Sequence, residues 1–183
     1  AANGATPSAV GASLYRAAGR IDATRGVARW AAALAWLAAL PEPITELPYW
    51  GHGKWGRAFV AEDTLDATAI ASGRLDPLRA NLAPNALVWF RTCETLGATA
   101  GIDFAERLAD HLGARVAGHT YIIGFHQSGL HGVAPGTRAD WSPAEGLAEG
   151  TADAPIRAHG PHRRAPRTIT CLAGAVPPTW FAA

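Results

Sequence analysis

The chain has 183 residues, 49% of them apolar and 17% charged, and a net charge of +1; this excludes a disordered, collagen-like or coiled-coil protein and is enough to bury a core in one domain, 1–183. Fifteen of its sixteen basic residues are scattered arginines, so no general attraction to nucleic acid or to an anionic membrane is built in, and neither is expected as a partner. Its only cysteines, Cys93 and Cys171, are too few for a disulfide framework in a domain of this size, and a reducing, cytoplasmic setting is expected.

Residues 1–12 are small and polar, with Pro7 among glycine and asparagine breakers, and read as a frayed lead-in. No charged n-region followed by an apolar h-region opens the chain, so no secretory signal is expected. Residues 10–15 are assigned a short strand. Asp22 or Thr24 then stands ready to cap a helix in which Val27, Trp30, Ala31, Leu34, Leu37 and Ala38 recur at helical spacing, before Pro41 stops it. This stretch, residues 27–40, contains Arg29 and falls short of the roughly twenty residues of a bilayer span. It predicts a buried helix.

Ile44–Trp50 follows as a strand that delivers His52, within Gly51-His52-Gly53, to its C-terminal edge. After a brief strand at 57–60, Leu65, Thr68, Ala69, Leu75, Leu78, Arg79 and Leu82 predict one broken helix or two short ones, interrupted near Gly73 and Pro77. Residues 86–90, Ala-Leu-Val-Trp-Phe, form a continuous apolar run of the kind that suits a parallel strand covered on both faces. That strand ends at Arg91-Thr92-Cys93. Gly101 and Asp103 open a helix whose Phe104, Leu108 and Leu112 share a face and which Gly113 closes; residues 115–117 and 121–123 continue as strand. Strands alternating with helices predict an α/β domain, its mostly parallel sheet flanked by helices. The last third, residues 125–183, is rich in Gly, Pro, His and Arg and is expected to be a loop-rich extension packed on the same domain.

In an open parallel sheet, ligands collect at the carboxyl ends of the strands. His52, Cys93 and His119 each stand just past such an end. A thiol becomes an attacking thiolate only beside a base or a positive charge, and a histidine supplies that. The bland readings are a small apolar filler for Cys93 and a turn residue for His52. The position of Cys93 at the polar end of its strand weighs against the first, while Cys171 reads as core. A rival constellation is metallic: His119, His126 and His131 lie within thirteen residues, and His52 and Cys93 could complete a site. Neither Cys-x2-Cys nor His-Glu-x2-His spacing is present, so no metal and no cofactor is assigned. The glycine-bounded loop from Gly124 to Gly132 suits a substrate wall, and Arg91, Glu94, His119, His126, Gln127 and Ser128 are the candidate substrate-binding residues. Trp50, Trp55, Trp89 and Trp141 line the same cleft or, as indoles beside buried strands more often do, the core.

An apolar strand, His-Gly, a spacer of some forty residues, a second apolar strand and then Cys resembles the caspase-like cysteine peptidase fold shared by caspases, gingipains, clostripain and legumain. More closely, three stretches are similar to the bacterial domain family DUF4347, which is expected to share that fold. They are Gly51-His52-Gly53 with Gly56 and Phe59; Leu87-Val88-Trp89-Phe90-Arg91-Thr92-Cys93; and Gly101-Ile102-Asp103-Phe104-Ala105 with Leu108-Ala109 and Gly113-Ala114-Arg115-Val116-Ala117. The similarity covers about residues 44–124. It implies a cysteine peptidase-like hydrolase in a bacterial protein-processing or defence setting, acting on a peptide or protein without a metal. His52 would be the general base and acid, Cys93 the nucleophile, and the backbone amides of Gly53 and Cys93 the oxyanion donors. The chain departs from those peptidases before the nucleophile, where they commonly carry a small residue or a second cysteine and it has Thr92 behind the bulky, charged Arg91. A caspase-like binding or interaction domain that has lost turnover is the alternative.

Overall fold

The computed structural model describes Tyr15, Arg16 and residues 19–181. In chain order the elements are α1 (Trp30–Ala38), β1 (Ile44–Trp50), β2 (His52–Gly53), β3 (Ala58–Val60), β4 (Asp63–Leu65), α2 (Ala67–Ala71), α3 (Asp76–Arg79), β5 (Leu82–Arg91) and α4 (Ala98–Leu112). They continue with β6 (Arg115–His119), β7 (His126–Gln127), β8 (Leu130–Val133), β9 (Leu147–Gly150), β10 (Pro155–Ala158), β11 (Ile169–Thr170) and a 3-10 turn, Pro178–Trp180. The central sheet has the order β1-β5-β6-β8; β1, β5 and β6 are parallel, and β8 closes the edge antiparallel to β6. The expected mixed α/β architecture with a mostly parallel sheet is therefore present. None of the helices among the described residues is long and apolar enough to cross a membrane.

The unbroken apolar run of β5 has a clear cause, because its alternate side chains enter two different cores. Val88 and Phe90 pack with Leu34 and Leu37 of α1, Ile70 of α2, Leu78 of α3, and Phe104 and Leu108 of α4. Leu87 and Trp89 point the other way, onto Ala117, Leu130 and Val176, with Ile169, Trp180 and Phe181 against them. Helices α1–α4 thus cover one face, and among the described residues the C-terminal segment, with the helical Tyr15 against Arg91, covers the other. Residues 125–183 thereby play a larger part than a loop-rich extension: they supply β8 and much of the layer on the second face. Leu130-His131-Gly132-Val133 escaped the sequence reading because it shows neither alternation nor an apolar run. Gly132 is required there, since a Cβ would overlap the Phe181 ring.

Other boundaries also shift. The assignment of residues 10–15 as strand lies, but for Tyr15, outside the described residues, and Tyr15 itself is helical. Helix α1 starts at Trp30, later than Asp22 or Thr24 would have it, and its Arg29 N-cap supplies no side-chain hydrogen bond. The cap comes from elsewhere: the Trp30 N–H donates to Asp63 Oδ2 at 2.8 Å, while the Trp30 indole donates to the Ala58 carbonyl at 3.0 Å. Helix α4 begins at Ala98, before Gly101, and Gly113 closes it in the left-handed conformation, φ 64°. Residues 121–123 form no strand, because loops use their backbone: the Tyr121 carbonyl accepts from the Glu94 N–H at 2.8 Å, and the Ile122 N–H donates to the His159 carbonyl at 3.0 Å.

The borrowed cap has a measurable consequence. Arg74 donates to Asp63 at 2.6 Å and holds its carboxyl below the ordinary range. A carboxyl depressed in the folded state stabilises above its unfolded value and loses that contribution as pH falls through the folded value. Asp63→Ala should cost about 0.5–2 kcal/mol near neutral pH. In urea titrations the gap from wild type should shrink below about pH 4. A gap that stays constant down to about pH 2.5 would rule out the carboxylate as the cap.

Candidate active site

Strands β1 and β5 are parallel neighbours, with Trp50 opposite Arg91. His52 and Cys93 each lie two residues beyond that last pair, at the same end of the sheet. After β1 the chain turns into the β2–β3 hairpin, and after β5 into a tight loop, residues 92–96. Hydrogen bonds tie these segments together. The Trp55 N–H donates to the Glu94 carbonyl at 3.0 Å, and the Gly56 N–H to the Thr95 carbonyl at 2.8 Å. On its other side the same loop donates from Glu94 to Tyr121 at 2.8 Å and from Leu96 to His119 at 3.0 Å, the two acceptors lying at and just beyond the end of β6. Three strand ends are thereby fastened into one rim.

Gly53 sits hard against the cysteine loop. A Cβ there would overlap Thr95 Oγ1 and come within 2.8 Å of Thr92 Oγ1. Those hydroxyls are hydrogen-bonded to each other at 2.5 Å, and Thr95 Oγ1 also donates to the Cys93 carbonyl at 3.1 Å. In the hairpin, Lys54 and Arg57 exchange both backbone hydrogen bonds. Alternation along an antiparallel pair then puts Gly53 and Ala58 at a non-hydrogen-bonded position, which turns the Gly53 N–H away from β3. The Cys93 N–H likewise donates to no other residue's backbone among the described residues.

Cys93 is half-buried and its thiol is free, as is that of Cys171. Burial pushes the Cys93 thiol up, and the neighbouring Glu94 charge pushes it the same way; the backbone N–H groups of Ile123 and of Cys93 itself act in the opposite direction. His52 is exposed, and no hydrogen bond joins it to the sulfur. A cavity of about 1050 Å³ between α1 and β1 reaches His52, Trp50 and Phe59 but not Cys93. That cavity therefore does not join the two residues.

The six residues expected to bind substrate have separate fates. Arg91 is 3% exposed and lies 4.2 Å over the Trp89 ring. It donates to Tyr15 Oη at 2.6 Å, Gln127 Oε1 at 3.0 Å and the carbonyls of Cys171 and Ala173 at 2.9 and 3.0 Å. Arg91 and Gln127 are thus bound to each other and to the C-terminal segment. Ser128 is fully buried; its hydroxyl donates to the His162 carbonyl at 3.0 Å. His119 is the last residue of β6 and not a rim group: it is fully buried, its Nδ1 lies 3.0 Å from the Ser128 carbonyl, and burial pushes it down to about 3, so it is neutral. His126 is half-buried in β7, opposite Thr170. Glu94 stands beside the sulfur.

The histidines of the metallic alternative do not converge. His131 Nε2 donates to Glu145 at 2.6 Å, its Nδ1 accepts from Arg167 at 2.7 Å, and its ring stacks on Trp141. Among the described residues no group of three or more His, Cys, Asp or Glu is gathered to hold a metal. Of the four tryptophans, Trp55, Trp89 and Trp141 are buried and Trp50 is half-buried. The sequence reading missed Lys54, whose ammonium lies 4.6 Å over the Trp55 ring beside Glu94. Its signal was available, since it is the only lysine in the chain.

Comparison of the chain with protein-family models, with curated proteins and with solved structures finds no match in any of the three.

Proposed function

We propose that the chain is a cysteine hydrolase of caspase-like arrangement that cleaves peptide bonds with His52 and Cys93. The observation that supports this is the register of β1 on β5, which sends both residues to one rim with Gly53 packed on the cysteine loop. Because burial and the Glu94 charge keep the thiol protonated at rest, attack needs a base, and an imidazole is the usual one. Sγ attacks the carbonyl carbon as its proton passes to His52, and the amides of Gly53 and Cys93 donate to the resulting oxyanion. Collapse breaks the C–N bond, His52 returns the proton to the departing amine, and a thioester remains. Water then attacks the thioester, again with its proton taken by His52, and the acid leaves as the thiol reforms.

A second reading is favoured by the raised thiol itself: an interaction domain that keeps the caspase-like arrangement without turnover. Alkylation separates the two. With Cys171→Ser as the background, iodoacetamide should modify Cys93 near neutral pH at least about tenfold faster than in the His52→Ala variant. Equal, slow labelling of the two proteins, followed by intact-mass spectrometry, would remove the hydrolase and leave the interaction domain.

A further inference from the structure

Glu94 follows the nucleophile directly and is 8% exposed, with its Oε2 buried and without a hydrogen-bond partner. Among the described residues no ion pair reaches it. The nearby cation, Lys54, is held over the Trp55 ring instead. The backbone of Glu94 is fixed from both sides, its N–H by Tyr121 and its carbonyl by Trp55, with φ at 26°. The carboxyl is therefore built into the rim without a salt bridge: burial pushes it up, and the Lys54 charge opposes that from a distance. Its charge also bears on the chemistry, because it opposes ionisation of the Cys93 thiol next to it.

We infer that Glu94 receives a cationic side chain of the substrate, a lysine or arginine beside the scissile amide, so that the substrate class is basic peptides. This rests on the hydrolase reading of the same rim. A guanidinium or ammonium supplies the donor that Oε2 lacks and offsets the negative charge that adds to burial in keeping the thiol protonated. Binding and activation are thereby coupled: the cation that is recognised also favours the thiolate. A neutral side chain leaves a buried carboxylate uncompensated, and an acidic one adds repulsion to that cost.

The test uses the full chain carrying Cys171→Ser and three methanethiosulfonates that differ only in charge: aminoethyl, methyl and sulfonatoethyl. In each reaction the thiolate displaces methanesulfinate and forms a mixed disulfide, which is read by mass. Normalised to a small free thiol, Cys93 should prefer the cationic over the anionic reagent by at least about tenfold. Glu94→Gln should bring that ratio close to one and speed the neutral reagent. Glu94→Asp, which keeps the charge, should retain a preference for the cation; near-UV circular dichroism shows whether each variant is folded. A wild-type ratio near one with labelling that still depends on His52 would overturn the basic-substrate assignment and leave the hydrolase standing. A preference that persists in folded Glu94→Gln would overturn the assignment to Glu94. Labelling indifferent to His52 would remove both.

Discussion

Replacing Arg91 by methionine should destabilise the protein by about 3–5 kcal/mol, a large share of the stability of a domain of this size. The guanidinium is buried against Trp89 and gives four hydrogen bonds, two of them to the carbonyls of Cys171 and Ala173. Methionine restores much of the volume but no donor: buried Gln127 Oε1 loses the guanidinium, and the carbonyls of Cys171 and Ala173 are left to share the Tyr15 hydroxyl. Lysine should recover little, because one ammonium cannot reach acceptors arranged for a planar fork. Urea titration should show a midpoint shift at nearly constant slope. A shift below about 1 kcal/mol would mean that the C-terminal segment is held mainly by Val176, Trp180 and Phe181.

Gly53→Ala should reduce the His52-dependent labelling of Cys93 by about a hundredfold, with about 1–3 kcal/mol lost in stability. The added methyl meets Thr95 and Thr92, which are buried and hydrogen-bonded to each other. They have nowhere to go, so the hairpin must lift and carry His52 off the rim. Adding Thr95→Ala to Gly53→Ala removes the overlapping hydroxyl and should recover much of the rate. Unchanged labelling in folded Gly53→Ala would show that the position of the hairpin does not govern Cys93.

Where a strand or helix is specified by its own residues, the sequence reading reached it. Ile44–Trp50 is a strand at the expected bounds, and the Phe104, Leu108 and Leu112 face of α4 is buried as its spacing requires. The neighbouring placement of the strands that lead to His52 and Cys93 accords with the tendency of successive parallel strands to pair. Failures came where the partner is distant. The cap of α1 is 33 residues away, on β4. The acceptors that hold Arg91 are 80 and 82 residues away, so a buried tether looked like a substrate-binding cation. His119 ends a strand, where the sequence suggests a rim group, yet its imidazole is buried on the Ser128 carbonyl, in the turn before the illegible β8. Glu94 lies beside Cys93 by sequence adjacency, but its backbone is held by the distant Trp55 and Tyr121, and no local pattern shows that.

Much of the layer that covers Leu87 and Trp89 is made well after the strand it covers. During synthesis α1, β1, β5 and α4 all leave the ribosome before Val176, Trp180 and Phe181 exist, and the guanidinium of Arg91 waits 82 residues for its farthest acceptor. The helical side of the nascent sheet can close early, while the opposite side stays greasy and wet until the loop back to β5 is closed, at an entropic cost that precedes any gain from it. Closure of the second face therefore waits until residues 171–181 have emerged, and the half-covered sheet is the species that a growing chain must keep from its neighbours.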